Sequence, residues 1–77
     1  MTITFAYKNE MHNVVVKDVI HRNDKIEFSS MDGEKWSLLF YDVEKATRYF
    51  QRLMKIHNIH ITDKSITVMN HRLDMNH

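Results

Sequence analysis

The sequence predicts a small α+β domain in which an antiparallel sheet packs against one amphipathic helix. Three observations favour this class. Residues 2–41 contain four strand-like stretches separated by polar turns, residues 43–57 repeat apolar side chains with helical spacing, and residues 59–68 return to alternation. The expected order is ββββα followed by one or two short strands. We expect residues 1–69 to form one domain and the polar residues 70–77 to form a frayed tail.

Composition excludes several classes of protein. The chain has 77 residues, a net charge of +1 and no cysteine, so neither a polycation, a disulfide scaffold nor thiolate chemistry is expected. The longest wholly apolar run covers four residues, 38–41, which is far shorter than a membrane span. The first residues lack a basic segment followed by a long apolar one, which a signal peptide requires. We therefore expect a cytoplasmic protein with no membrane partner.

The first predicted strand covers residues 2–7. Ile3, Phe5 and Tyr7 alternate with smaller or more polar residues, as in a strand with one buried face. The polar stretch 8–13 is the expected connection to the next strand.

Two further strands precede the hairpin that the sequence defines best. Residues 14–21 are rich in β-branched side chains and form the second predicted strand. Residues 22–24 have the composition of a turn. Residues 25–30 form the third strand, with Ile26 and Phe28 on its inner face.

The loop after the third strand admits two registers, which burial distinguishes. A two-residue turn at Asp32 and Gly33 would place Phe28 opposite Ser37. A three-residue loop with Gly33 in the left-handed conformation places Phe28 opposite Trp36 instead. The second register is predicted because it gathers one apolar face, formed by Ile26, Phe28, Trp36, Leu38 and Phe40.

The fourth strand, residues 36–41, leads through Asp42 into the helix at residues 43–57. Asp42 is a suitable N-cap, because its carboxylate accepts hydrogen bonds from the first helical turn. We expect Asn58 to follow the helix as its C′ residue. The predicted buried face consists of Val43, Ala46, Tyr49, Phe50, Leu53, Met54 and Ile56.

After the helix, isoleucine and valine again alternate with polar residues. Ile59 and Ile61 precede a predicted turn at residues 62–65, and Ile66 and Val68 follow it. This pattern predicts one or two short strands that return to the sheet.

The opposite side of the helix is basic. Lys45, Arg48, Arg52 and Lys55 recur at helical spacing, and Glu44 is the acid placed to pair with Arg48. Such a face is either an ordinary solvated surface or a contact surface for phosphates or an acidic protein patch.

Motifs for catalysis or metal binding are weak. His57, His60 and Asp63 have a spacing that a turn could fold around Zn²⁺, but surface histidines are the simpler interpretation, and no metal is predicted. The chain has no nucleophile-elbow motif and no glycine-rich phosphate loop. We therefore expect no enzymatic activity, no catalytic residue and no cofactor.

A protein-binding module is the function that the sequence favours. Such modules include inhibitors or adaptors of larger machines, of the kind that phages and mobile elements carry. The partner is expected to be another protein, with homodimerisation as a related possibility. The expected contacts are the basic helix residues Lys45, Arg48, Arg52 and Lys55 and, on the sheet face away from the helix, Leu39 and Tyr41. The alternative is a nucleic-acid-binding protein that places the basic residues on phosphates.

Overall fold

The computed structural model describes residues 1–71. Its elements are β1 (Thr2–Tyr7), β2 (Glu10–Arg22), β3 (Lys25–Ser30), β4 (Lys35–Leu39), α1 (Val43–Leu53), β5 (Asn58–Ile61) and β6 (Thr67–His71). The predicted α+β class is confirmed, with one helix packed against one sheet. The sheet is not wholly antiparallel, because β5 runs parallel to β1.

The strand order is β5-β1-β2-β3-β4-β6, and the long strand β2 joins the two halves of the sheet. Its first part pairs with β1, its second part pairs with β3, and the register shifts between Val16 and Asp18. A β-bulge of this kind bends the strand. The two halves therefore pack against each other, and the ring of Phe5 in β1 lies 5.9 Å from Phe28 and 4.8 Å from Trp36.

The hydrophobic core lies between the two halves of the sheet and α1. The strands supply most of it, and the helix supplies Ala46 and Leu53, which are 0% and 2% exposed. Apolar side chains at alternate strand positions fill most of the rest, namely Ile3, Phe5, Val14, Ile26, Phe28, Trp36, Leu38, Ile59 and Ile61, with Phe40 just after β4 and Ile66 from the last connection.

The β3–β4 hairpin has the predicted register. Phe28 lies opposite Trp36 and Ile26 lies opposite Leu38. The N–H of Ser30 donates to the carbonyl oxygen of Glu34 at 2.8 Å, which leaves a three-residue loop. Gly33 in that loop has a φ of +95°, so the prediction of a left-handed glycine is also confirmed.

The β1–β2 connection is shorter than predicted. Residues 8–13 were expected to form it, but Lys8 and Asn9 alone connect β1 to β2. Both residues have positive φ, 51° and 65°, as a two-residue type I′ turn requires. Lysine is not typical of such turns, so the sequence did not indicate a two-residue turn at this position. As a result β2 starts at Glu10, before the predicted strand at residues 14–21.

Helix α1 starts as predicted but ends earlier. The Asp42 carboxylate accepts from the N–H groups of Glu44 at 2.9 Å and Lys45 at 3.2 Å, which confirms the N-cap. The helix ends at Leu53, four residues before the predicted end at His57. The prediction of Asn58 as a C′ residue is wrong, because Asn58 starts β5.

Pairing between β5 and β1 explains the early end of the helix. The carbonyl oxygen of His57 accepts from the N–H of Thr2 at 2.7 Å. The chain must be extended at this point for Asn58 to lie beside Thr2. A helix that continued to His57 would remove this parallel pairing.

Two strand ends also differ from the prediction. Strand β4 ends at Leu39, and Tyr41, predicted to lie in it, has a φ of +59° in the turn before α1. Asn70 and His71, predicted to begin a frayed tail, belong to β6. The rest of that predicted tail, residues 72–77, lies outside the described residues. Among residues 1–71, no helix has the length and apolar character needed to span a bilayer.

Candidate functional site

Lys45, the first residue of the predicted basic face, is bound within the protein. Its Nζ donates to the Asp63 carboxylate and, at 2.9 Å, to the Ser65 hydroxyl. Ser65 in turn donates to Asp63 from its hydroxyl at 2.6 Å and from its backbone N–H at 2.9 Å. The Lys45 ammonium and the Ser65 donors hold the pKa of Asp63 well below its ordinary value. Lys45 therefore ties α1 to the β5–β6 connection.

The pairing of Asp63 with Lys45 also bears on the possible zinc site. His57 and His60 are exposed, whereas the Asp63 carboxylate is hydrogen-bonded to Lys45 and Ser65. Within residues 1–71 no group of three or more histidine, cysteine, aspartate or glutamate side chains could hold a metal ion.

The other three basic residues are exposed to solvent. Arg48 and Arg52 lie on α1, whereas Lys55 lies beyond its end. The Arg52 guanidinium lies over the ring of Tyr49, 5.6 Å from its centroid. The ion pairs formed within residues 1–71 use none of the three, and the predicted pair between Glu44 and Arg48 does not form. We call these three residues the basic group.

Several apolar residues predicted to be buried on α1 are exposed instead. Val43 is 56% exposed, Met54 54% and Ile56 40%. Phe50 is half-buried, and its ring stacks on His21 with 5.1 Å between centroids. Within α1 the buried residues are Ala46 and Leu53, whereas Met54 and Ile56 follow the end of the helix.

Val43 and Phe50 of α1 and Met54, which caps its C-terminus, lie along one side of the helix. Their spacing of seven and then four residues brings them into line on a helix surface. We call these three residues the apolar flank. Arg48 and Arg52 lie about 140° and 180° around the helix axis from Val43, so the apolar flank and the basic group lie on different sides of α1.

Leu39 and Tyr41 belong to a different surface. Leu39 lies opposite Lys25 and Thr67, on the sheet face that points away from the core, as predicted. Tyr41 is 64% exposed, and its hydroxyl donates to Thr67 Oγ1 at 3.0 Å. The predicted contact residues therefore divide into a helix surface and an outer sheet surface.

A serine–histidine pair, which residue spacing could not identify, occurs on this outer sheet face. Ser37 Oγ lies 2.7 Å from Nε2 of His71 beside a cleft of about 620 Å³. A hydroxyl bonded to an imidazole is the arrangement of activated nucleophiles. Ser37 is only 1% exposed, however, and lies between Glu27 and Met69 inside the sheet. Since its hydroxyl is closed to a substrate here, we assign the pair no catalytic role.

A second cleft, of about 420 Å³, is lined by the rings of Tyr7, His12 and Trp36. The ring centroids are 5.2 Å apart for Tyr7 and Trp36, 5.3 Å for His12 and Trp36, and 5.9 Å for Tyr7 and His12. Trp36 Nε1 and His12 Nε2 are buried and have no hydrogen-bond partner within residues 1–71. The three rings come from β1, β2 and β4, so only the folded sheet brings them together.

The chain matches no protein-family model, no curated protein and no solved structure. The functional proposals therefore rest on the geometry of these surfaces and clefts.

Proposed function

We propose that this protein is a small protein-binding module and that α1 docks an acidic, partly apolar segment of another protein. The observation that supports this most strongly is the exposure of Val43 and Met54, at 56% and 54%, at the two ends of the helix that carries Arg48 and Arg52. Exposed apolar side chains are typical of interaction surfaces, and the basic group adds exposed charge on another side of the same helix.

The apolar flank supplies the favourable free energy of docking. Fully burying a valine or methionine side chain contributes about 1.5–3 kcal/mol, and both residues still expose about half of their surface. Phe50 lies between them and is already fixed by its stacking on His21. A partner that covers the flank therefore buries apolar surface without ordering a mobile aromatic ring.

The basic group selects the charge of the partner. Arg48, Arg52 and Lys55 have no ion pair within residues 1–71, and Glu44 at the other end of α1 is the acid of this helix. Carboxylates of a partner complement such a surface and speed association, an effect that salt screens. Lys45 is left out of this surface because Asp63 and Ser65 already bind its ammonium.

Leu39 and Tyr41 form a second candidate contact on the outer sheet face. The exposed aromatic ring of Tyr41 suits an interface anchor. Binding of a larger machine as an inhibitor or adaptor, or pairing of two copies, would use either surface. The lack of cysteine fits a reducing compartment, and we propose a cytoplasmic location.

The decisive experiment is selection of random peptides displayed on yeast against the purified protein. We expect the enriched peptides to combine Asp or Glu with large apolar residues. Two variants test the two parts of the surface separately. The first removes the exposed apolar groups through Val43→Ser and Met54→Gln. The second removes the basic group through Arg48→Ala, Arg52→Ala and Lys55→Ala. Each should weaken the selected peptides at least about tenfold, since interface contacts of this kind contribute 1–2 kcal/mol each.

A charge-matched control separates the local surface from bulk charge. It replaces three exposed lysines elsewhere by alanine, namely Lys17, Lys35 and Lys64. This control should bind peptides like the wild type. Peptides without acidic residues, or equal losses in both triple variants, would refute the proposed surface. Binding of labelled oligonucleotides that only the basic-group variant loses would support a nucleic-acid-binding protein instead.

A further inference from the structure

We propose that two copies of this protein pair along β6 and join their sheets into one continuous sheet. Strand β6 is the last in the order β5-β1-β2-β3-β4-β6, and within residues 1–71 no strand pairs with its other side. An unpaired strand edge is a template on which another strand can add. The proposal does not depend on the function proposed for α1.

The hydrogen bonds of β4 determine which of its backbone groups face β6. The carbonyl oxygen of Glu34 accepts from Ser30, and the N–H of Phe40 donates to Asp24, each at 2.8 Å. Backbone groups alternate between the two sides of a strand. Every even-numbered residue of β4 therefore faces β3, and every odd-numbered residue faces β6.

The same alternation continues into β6. Ser37 of β4 lies opposite Met69, so the N–H and carbonyl groups of Met69 bond to β4. The corresponding groups of Val68 and Asn70 point to the open edge instead. These backbone groups are the ones that a second strand would bond.

One register of antiparallel pairing uses the whole of β6. It is centred on Met69 and places Val68 of each copy opposite Asn70 of the other, so that the N–H and carbonyl groups of both residues are bonded. The next registers that keep edge groups opposite edge groups would leave two residues of each strand unpaired. The length of β6 therefore favours the register centred on Met69.

The side chains of β6 suit contact with a second copy. In this register a two-fold axis passes beside Met69, and the two copies of Met69 face each other with their Cα atoms about 4.5 Å apart. A charged residue would repel its copy there, but Met69 is apolar and 42% exposed. Strand β6 also contains no charged residue, no proline and no bulge, which are devices that keep edge strands from pairing.

The strand at the opposite end of the sheet order suits such pairing less well. Strand β5 exposes Asn58 and His60, whereas Ile59 and Ile61 are 3% and 7% exposed and already belong to the core. Pairing along β5 would therefore bring polar side chains together and bury little further apolar surface. The exposed apolar side chain at the centre of the strand distinguishes β6 from β5.

Cysteine cross-linking tests the register directly. The chain has no cysteine, so Met69→Cys introduces a single thiol. Cα atoms about 4.5 Å apart lie within disulfide range, and mild oxidation should link this variant into dimers. Thr67→Cys is the matched control on the same strand and face, because the two copies of Thr67 would lie at least about 13 Å apart. We expect Met69→Cys to cross-link at least about tenfold faster than Thr67→Cys.

A mixture of two variants tests the same register at its ends. Thr67 of one copy would lie opposite His71 of the other. Thr67→Cys and His71→Cys should therefore link to each other when they are mixed, although neither should link to itself.

Sedimentation equilibrium measures the pairing without cross-linking. We expect the mass to rise from monomer to dimer between about 10 μM and about 1 mM, because one strand from each copy makes a small interface. Met69→Lys should remain monomeric, since like charges directly opposite each other repel. Met11→Lys is the matched control on β2 and should dimerise like the wild type. Met69 and Met11 are 42% and 65% exposed, so neither change disturbs the core.

Three outcomes would overturn the proposal. The first is a wild type that stays monomeric over the whole concentration range, which would leave the edge of β6 to an extended segment of another protein. The second is dimerisation that Met69→Lys does not weaken. The third is equal cross-linking of Met69→Cys and Thr67→Cys, which would indicate random collisions or a different interface.

Discussion

Lys45 of α1 is bound to Asp63, which lies in the connection between β5 and β6. Ser65 completes the arrangement, because it accepts from Lys45 at 2.9 Å and donates to Asp63 at 2.6 Å. A residue that the sequence placed on a partner-binding face thus joins two parts of the fold. This relationship makes the stability of the protein sensitive to the charge of Asp63.

We expect the contribution of Asp63 to stability to disappear at low pH. The bound ammonium keeps the folded-state pKa of Asp63 below its ordinary value of 3.8, so folding favours the carboxylate. A depressed pKa stabilises the fold above pH 3.8, and this stabilisation is lost as the pH falls below that value. Urea unfolding at a series of pH values should therefore show Asp63→Asn less stable than the wild type at neutral pH.

The difference between wild type and variant should shrink steadily below pH 3.8. Lys45→Met is the matched control, because it removes the cation that depresses the pKa of Asp63. Adding Asp63→Asn to Lys45→Met should have much less effect than adding it to the wild type. A difference that stayed the same at every pH would contradict the role of the pair.

Neighbouring residues at the end of α1 should differ sharply in their effect on stability. Leu53 is 2% exposed, so Leu53→Ala should lower the free energy of unfolding by about 2–5 kcal/mol. Met54 is 54% exposed, and Met54→Ala should change it by less than about 0.5 kcal/mol. Chemical denaturation measures both values. Similar losses for the two variants would mean that the apolar flank is not open to solvent.

The β3–β4 loop should tolerate asparagine better than alanine at Gly33. Its φ of +95° is unfavourable for a residue with a Cβ, and no atom lies within 4 Å of the place that a Cβ would take. The loss for Gly33→Ala is therefore backbone strain alone, about 1–2 kcal/mol. Gly33→Asn should lose less, because asparagine adopts left-handed conformations more readily. If urea unfolding showed the same loss of stability for Gly33→Ala and Gly33→Asn, backbone strain at positive φ would not be the cause.

The protein should become more stable when the two residues of the β1–β2 turn are replaced by types that prefer positive φ. Lys8 and Asn9 have φ values of 51° and 65°, and asparagine followed by glycine is the preferred pair for such a turn. Lys8→Asn with Asn9→Gly should therefore raise the free energy of unfolding by about 0.5–1 kcal/mol. A rise in thermal midpoint is the simplest measurement. A loss of stability would show that the Lys8 contact with Tyr7 outweighs the relief of strain.

Much of the fold could be predicted because interactions between residues close along the chain determine it. Alternation located β1 and β3 to the residue, and the N-cap Asp42 marked the start of α1. The β3–β4 register followed from two constraints that agree, namely the burial of Phe28 opposite Trp36 and the left-handed conformation of Gly33. Each signal acts between residues that are close along the chain.

The site was predicted only in part. Arg48, Arg52 and Lys55 are exposed, as the basic helix pattern indicated. That pattern could not reveal that Lys45 meets Asp63, because the two residues are distant in sequence. The ring cleft was missed for the same reason, since Tyr7 and Trp36 meet only when the bent sheet brings β1 against β4.

The sequence by itself determined the class of the fold, the identity of most strands and the start of the helix, because these depend on periodicity and on short-range hydrogen bonds. Tertiary structure alone decided where the helix ends. Residues 54–57 continue the helical sequence pattern, yet the regular helix ends at Leu53, and the carbonyl oxygen of His57 accepts from the N–H of Thr2 where the parallel pairing begins. That competition between a local and a long-range hydrogen-bond pattern leaves Met54 and Ile56 on the surface.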